Sequence, residues 1–504
     1  MTATSAKARY SQLTSDRSAV LEKAREASDL TIPGLIPRDG DSDATLLDQA
    51  YQSLGARGAN NLTSKLMLAL FPPGSPFFRY FISDDALEGQ PPQLVEGVRS
   101  GLAKIEIKAA LRAETMRSPI WQYLLHLVVG GNAIFYLPMK EDPQVYGIHQ
   151  FVVRRTPSGR PAEAIIKEAV FPHTLAPEVL AKAGIDQAKV RRDQTMDLYT
   201  VVKWQDKKVT WWQELNDKRV SDESVTPEDI SPWIVARWKA RPGRSYGDSH
   251  VMENLGDLMS FEGLSKAVFE FGEIAAKVIF LDKPSSQTDI RDLQKAKSGD
   301  FVQGSKDDID VLQLDKYADF QVVDAVMQRL ERRIAEAFLL STGTIRNAER
   351  VTAEEIRQVA QELEDALGGV YTVMASEFQL PFTRRLLYLM QREGEIKPLP
   401  KDTVKPLVVT GFDALGRAHS NNRIRAFIAD ARNLLGDEVL KRVNQSALLN
   451  RLGTGWGVED LEELLLSEDE VAAADQQAMM AQAMQQAAPG VAQEVTKSAL
   501  QEEQ

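Results

Sequence analysis

The stretch Asp319–Gln358, "DFQVVDAVMQRLERRIAEAFLLSTGTIRNAERVTAEEIRQ", decides how this chain is organised. Its first half carries Val323, Val326, Leu330, Ile334 and Phe338, spaced 3, 4, 4, 4, which is one apolar stripe on a helix. Ser341–Arg350 is polar and contains Gly343, and it interrupts the stripe. Thr352 then stands three residues before Glu355, the spacing at which each side chain caps the other's backbone N–H. From there Ile356, Val359, Leu363, Leu367, Val370 and Met374 keep one face apolar toward Arg392. Bends are expected at Gly368–Gly369 and Pro381. Even so, some forty residues at ~1.5 Å each span about 60 Å, more than a small domain's diameter. Such a helix crosses its subunit or braces a larger assembly.

Upstream, Phe261, Leu264, Val268, Phe271, Ala275 and Val278 form a second helical stripe, with Glu262, Lys266, Glu270 and Glu273 off it. Between the two stripes lies "DKPSSQTDIRDLQKAKSGDFVQGSKDDIDVLQL" (282–314), read as a small insert with turns and one or two strands. The order is therefore helix, small mixed insert, helix, polar loop, long helix.

The first ~130 residues read as mostly helical. "SAVLEKAREASDL" (18–30) is amphipathic, and "TIPGLIPRDG" (31–40) is a break rich in Pro and Gly. "ATLLDQAYQSLGARGANNLTSKLMLALF" (44–71) resumes helical spacing, and two more helices follow, divided around Pro119. From Asn132 to about Ala240 the runs "AIFYLPM", "GIHQFVVRR", "AIIKEAVF", "DLYTVVKWQ", "KVTWWQEL" and "WIVARWKA" are short and rich in β-branched and aromatic residues. They read as a compact, mostly antiparallel β region. Five of the seven Trp lie there, which fits sheet packing better than a ligand-stacking platform. "KPLPKDTVKPLVVTGFDALGRA" is a linker, short strand and turn, and 420–466 return to short helices. The final Ala/Gln/Met-rich segment has little to bury by itself; it is disordered or ordered only among copies. The fold class is α+β, mainly α.

Composition narrows the function. The 504 residues suggest two to four domains or one elongated, multi-part subunit. With no cysteine, disulfides, Cys-based zinc sites and a cysteine nucleophile are excluded. "IWQYLLHLVVGGNAIFYLPM" is interrupted by Gln122, His126, Gly130, Gly131 and Asn132, so it reads as a buried helix and a strand rather than a membrane span. The N-terminal residues lack a signal-peptide core, and a soluble protein is expected. Val458–Gln504 holds eleven acids and one base, so −10 of the net −12 sits in that tail and −2 in everything before it. The nearly neutral body is not a basic nucleic-acid gripper.

Catalytic signatures are missing. There is no G-x-x-x-x-G-K-[ST] phosphate loop, no G-x-G-x-x-G, no H-E-x-x-H and no G-x-S-x-G. The five His are scattered without ligand spacing. Acid pairs such as Asp84–Asp85 and Asp307–Asp308 sit in turn-like contexts and read as solvated carboxylates. No cofactor, metal or enzymatic activity is expected.

Four strings, "LTIPGLIPRDG", "YQSLGARGANNLTSKLMLALFPP", "LMSFEGLSKAVFEFGEIAAKVIFL" and "RVTAEEIRQVAQELEDALGGVY", together resemble the portal (head-to-tail connector) proteins of short-tailed, podovirus-type bacteriophages. The strings occur in the family's order across most of the chain. The resemblance is weakest over the β region and the C-terminal tail.

The resemblance implies a ring, usually of twelve subunits, at one capsid vertex, through which double-stranded DNA is packaged by a terminase motor and later ejected. It implies a wing at 1–247, stem helices at 248–280 and 317–340 with a clip at 281–316 between them, and a tunnel loop at 341–351. A long wing helix and return strand at 352–416, a crown at 417–474 and an acidic tail at 475–504 would complete the subunit. In the tunnel loop Thr342, Thr344, Arg346, Asn347, Glu349 and Arg350 would line the DNA channel. On the stem, Lys266, Lys277, Arg329, Arg332 and Arg333 are channel candidates, although exposed or ion-paired residues are the plainer reading of each. Arg346 and Arg350 have the stronger claim, because their loop has little apolar content to hold it in a core. On the clip, Lys295, Lys297, Lys306, Asp307 and Asp308 would meet the terminase and then the tail adaptor. The major capsid protein, scaffolding protein and internal core proteins are further implied partners, with no membrane. The implied location is the portal vertex of the virion, assembled in the host bacterial cytoplasm.

A nearly neutral body suits such a channel, since each phosphate–cation contact adds affinity and tight binding would stall sliding DNA. Two alternatives stand beside it: another non-enzymatic virion protein, such as a tail adaptor or internal scaffold, and an enzyme of DNA packaging. The absent phosphate loop and acid cluster argue against the enzyme. The insert between two stripe-bearing helices, followed by a polar loop and a capped helix, argues for the portal over the adaptor.

Overall fold

The computed structural model describes residues 5–340 except 43, 74, 83–91, 187–190, 192–193, 276–278, 283–288, 306, 308 and 313–316, together with 359, 362–363, 365–397, 404–408, 427–434, 436 and 448–449. Two compact units are present, one of residues 1–83 with 108–411 and one of 84–107 with 412–504. In the second unit the described residues are helical over 92–107, 427–434 and 448–449.

The chain opens with α1 (Ala6–Asp29), α2 (Leu54–Leu70), β1 (Phe78–Ile82), α3 (Pro92–Glu114) and α4 (Arg117–Gly130). The helix expected from residue 18 begins twelve residues earlier, capped by the Ser5 hydroxyl, which accepts from the Ala8 N–H. Its first turns are held by packing: Ala6, Tyr10 and Leu13 lie against Val152, Ile165, Tyr199 and Val201 of the neighbouring sheet. The buried Arg17 guanidinium donates to the carbonyls of Ile148 and Phe151.

Helical spacing from residue 44 predicts a longer α2 than the chain forms. Residues 46–50 have no regular structure, and Leu46 is 96% exposed. Tertiary contacts override the pattern here. Gln52 accepts from the Gly55 N–H and donates to the Leu30 carbonyl, and Tyr51 packs on Phe269. Likewise the break expected at Pro119 falls before Arg117. Pro119 sits in the first turn of α4, where its missing N–H has no helical acceptor to satisfy.

The β region contains β2 (Asn132–Tyr136), β3 (Gln144–Gly147), β4 (Phe151–Arg155), β5 (Pro161–Val170), the short helix α5 (Pro177–Ala183), β6 (Met196–Gln205), β7 (Lys208–Leu215), β8 (Lys218–Arg219), β9 (Ser224–Pro227) and β10 (Trp233–Arg237). Every pairing is antiparallel, as the alternating aromatic and β-branched runs predict. Among the described residues these strands form two sheets: β10-β2-β3, and β4-β5-β6-β7-β8 with β9 beside β7. Trp238 and Trp233 are buried, and Trp233 stacks on Tyr136 with centroids 4.0 Å apart. Trp212 lies under both the Lys203 ammonium and the Arg219 guanidinium. The core sits around α4, whose Ile120, Tyr123, Leu124, Leu127 and Val128 are fully buried. It packs against α1, α2 and β2. Burial of each such large apolar side chain contributes about 1.5–3 kcal/mol.

Beyond the sheets come α6 (His250–Glu253), α7 (Leu255–Ala275), β11 (Ile279–Asp282), α8 (Ile290–Lys295), β12 (Ile309–Leu312) and α9 (Tyr317–Ala337). α7 packs along α9, and β11 pairs antiparallel with β12, Ile279 opposite Leu312. The insert between the two stripes is thus a strand pair with a short helix.

After residue 358 the chain is helical at 359, 362–363 and 365–367, then forms α10 (Gly369–Met374), a π-turn (Ala375–Gln379) and α11 (Leu380–Arg392). The last strand, β13 (Val404–Val408), pairs with β1. Both expected bends have a local cause. Gly368 adopts φ +49°, a conformation that disfavours a side chain. Pro381 has no N–H for the Glu377 carbonyl, and the ladder widens to a π-turn just before it. The capping box at Thr352–Glu355 lies outside the described residues. Among the described residues no helix is long and apolar enough to cross a membrane.

Candidate functional site

The proposed channel loop, with Thr342, Thr344, Arg346, Asn347, Glu349 and Arg350, lies outside the described residues, as do Lys277, Lys306 and Asp308. Around the loop, the chain is described up to residue 340 and again at 359, 362–363 and 365–397. α9 ends in a turn where the Leu339 N–H donates to the Glu336 carbonyl (3.1 Å) and the Leu340 N–H to the Ala335 carbonyl (2.8 Å). This turn usually places glycine at the left-handed position. Here Leu339 holds it, at φ +55° and 7% exposed, a strain of roughly 1–2 kcal/mol that only surrounding contacts can sustain.

Those contacts come from α2 and α6. The last carbonyls of a helix have no partner within it. Asn61 Nδ2 donates to the carbonyls of Phe338 and Leu339, both at 3.0 Å, and Lys65 Nζ donates to the Leu339 carbonyl at 2.9 Å. His250 Nε2 is 2.8 Å from the Ala337 carbonyl. A cation here also meets the negative end of the helix dipole. Lys65 continues to Glu362 Oε2, at 2.8 Å, on the far side of the loop. Asn61 and Lys65 share one face of α2 at a spacing of four. Gly58, one turn earlier, lets Phe338 approach: a Cβ there would fall 2.7 Å from Phe338 Cγ.

The stem candidates that are described are exposed, and three of them contact their own subunit. Arg333 pairs with Asp257 at 2.9 Å, Arg332 Nε donates to the Gln328 carbonyl, and Lys266 lies 4.0 Å from Glu270 and over the Tyr51 ring. Arg329 is exposed on α9. Of the clip candidates, Lys295 ends α8, while the backbone N–H groups of Lys297 and Asp307 donate to Asp300 and Ser305. All three residues are exposed.

Two buried polar clusters had no signal in the sequence. In the first, Glu377 on the π-turn receives the Arg237 backbone N–H at 3.0 Å and its guanidinium at 2.5 Å, with Arg155 Nη2 at 3.9 Å. Burial pushes the Arg155 pKa down to about 10, opposed by the Glu377 charge. In the second, His126 of α4 and His149 of the turn before β4 bring their rings to 6.3 Å. Spacing in the sequence hides this pair. Neither Nδ1 has a hydrogen-bond partner among the described residues, and both are out of solvent.

Burial holds His126 down at about 4, and burial with the nearby His126, Arg17 and Arg25 holds His149 down at about 3, against a small opposing pull from Asp39. Both rings are therefore neutral in the folded protein at neutral pH. Below the ordinary value of 6.5 the unfolded chain binds protons that the folded chain refuses. Stability is thus complete above pH 6.5 and falls between 6.5 and about 3 to 4, by about 1.4 kcal/mol per pH unit per imidazole. Urea midpoints between pH 7 and 5 should show this slope, and His149→Gln should roughly halve its imidazole part. An unchanged slope in that variant would remove the pair from the account.

The family model for the bacteriophage head to tail connecting protein matches residues 3–461. The portal protein of Enterobacteria phage T3 is 36% identical over 477 residues, covering 92% of this chain and 89% of the relative. That of Escherichia phage T7 is 36% identical over 494 residues, covering 95% and 91%. The portal protein of Enterobacteria phage SP6 is 30% identical over 430 residues, covering 83% and 81%. A solved chain from the neck of an empty GTA particle has a TM-score of 0.36 at 11% identity over 80% of this chain and 95% of its own, too slight a likeness to bear on the fold. The match to the family model and the identity to these relatives extend over nearly the whole chain, from the first helix to beyond the last strand, and the chain belongs to the family of bacteriophage head-to-tail connecting proteins.

Proposed function

We propose that this protein is the portal subunit of a phage capsid: a non-enzymatic protein that closes into a ring, conducts double-stranded DNA during packaging and ejection, and serves as the platform for terminase and then tail proteins. The observation that carries this reading is the 36% identity to two portal proteins over at least 92% of the chain. In this reading 1–247 form the wing, 248–280 and 317–340 the stem, 281–316 the clip, 341–351 the tunnel loop, 352–416 the long wing helix and return strand, and 417–474 the crown.

The surface of the stem helices supports assembly. Met259 and Phe269 on α7 are 53% and 57% exposed, and Val322 on α9 is 66% exposed. The α7 stripe residues Phe261, Leu264, Val268 and Phe271 are only half-buried within one subunit. Apolar surface repeated along paired helices is covered in an oligomer, and heterologous head-to-tail contacts of identical subunits close into rings. Arg346 and Arg350 would hold DNA on the channel axis.

Electron microscopy of the purified protein should show rings with a central hole and about twelvefold symmetry, the usual count for such rings. Monomers or compact dimers at high concentration would overturn the reading. Changing Arg346 and Arg350 to Ala should leave the rings intact and alter DNA packaging or retention. Loss of the rings would instead make these arginines assembly contacts.

A further inference from the structure

We infer that Lys65 is a positioning residue that ties together the two chain segments bordering residues 341–358, so that α2 sets where both of them stand. A single ammonium, 1% exposed, makes contacts to each side: the Leu339 carbonyl before the segment and the Glu362 carboxylate after it. Its neighbours serve the same junction. Asn61 holds the Phe338 and Leu339 carbonyls, and Gly58 admits the Phe338 ring.

The chemistry explains why a long cationic donor stands here rather than an apolar side chain. An apolar side chain would fill the same space without desolvating a charge, so packing alone does not call for an ammonium. Only a long donor with several N–H groups can reach a carbonyl and a carboxylate from different segments at once. The ammonium also stabilises a left-handed Leu339 that its own backbone disfavours. Without it, the end of α9 loses one of the bonds that oppose relaxation of this turn, and Glu362 loses an ion pair to α2. The consequence for DNA rests on the reading that 341–351 faces the channel; the tie itself does not.

The test uses the full-length assembled protein and limited trypsin digestion, which reports release of the two borders through faster cleavage after Arg346 and Arg350 between them. Lys65→Met keeps the length and removes the charge. Cleavage should accelerate at least about tenfold, since the variant removes two charge-assisted hydrogen bonds and the loss of one is worth about that factor. Glu362→Gln should accelerate it less, and it serves as the second variant if Lys65→Met does not fold. Phe382→Leu, a core change away from the junction, should leave cleavage unchanged. Unchanged cleavage in Glu362→Gln and in a folded Lys65→Met, or an equal rise in Phe382→Leu, overturns the inference. DNA retention is measured separately on the same variants. Faster cleavage with normal retention keeps Lys65 as the tie and refutes the channel reading of the loop.

Discussion

Glu377→Ala is expected to destabilise the larger unit by about 3–5 kcal/mol, the cost of leaving buried charge without its partner. Two guanidiniums, with side chains 2% and 6% exposed, share this one carboxylate. Arg155 cannot escape by losing its proton at neutral pH, because its depressed pKa stays near 10. Their remaining donors go to carbonyls: Arg155 to Ser245, Gly159 and Val235, and Arg237 to Arg244 and Gly159. Those bonds satisfy geometry but not charge. Glu377→Gln separates the two effects, since it keeps an acceptor and removes the charge. Urea unfolding should place Gln between wild type and Ala. A Gln variant as stable as wild type would mean that hydrogen-bond geometry, not charge, holds the π-turn to β10.

Phe378→Ala should cost about as much, roughly 3–5 kcal/mol, for a different reason. Its ring is fully buried, with centroids 4.4 Å from Tyr123, 5.8 Å from Phe71, 5.8 Å from Phe382 and 5.9 Å from Phe135. These rings come from α2's end, α4, β2, the π-turn and α11, so five segments lose contacts together. The cavity cannot collapse easily, because each neighbour is held by its own element. Phe378→Leu keeps most of the volume and should cost less than half as much. Equal losses for Ala and Leu would point to the edge-to-face ring geometry rather than to volume. Glu377 and Phe378 adjoin on one π-turn, so the double variant should depart from additivity.

Both positions show where sequence reading stops. Phe378 falls in an apolar stretch and is recognisably core. Glu377 beside it looks like any exposed helical acid, because its partners Arg155 and Arg237 are far away in the chain and lie on strands. The same holds for Lys65, which reads as a surface lysine in "NNLTSKLMLALF" and is 1% exposed in the fold. His126 and His149 pass as isolated residues until α4 and the turn before β4 bring them together. Residues 44–53 carry helical spacing, yet the backbone from 46 to 50 is irregular because the contacts of Gln52 and Tyr51 are stronger than a weak local preference.

Local chemistry was enough for the rest. Periodicity of 3.6 and of 2 is a property of consecutive residues, so it marked the helical stripes, the antiparallel β region and the insert between α7 and α9 without any knowledge of what each face meets. Four long strings pointed to the portal family by the same local logic. The tertiary structure alone decided how many sheets the strands form, which charges are buried and what pins the end of α9. Those outcomes depend on which distant residues meet, and the energy of a buried charge or a close-packed ring is set by its neighbours in space rather than along the chain.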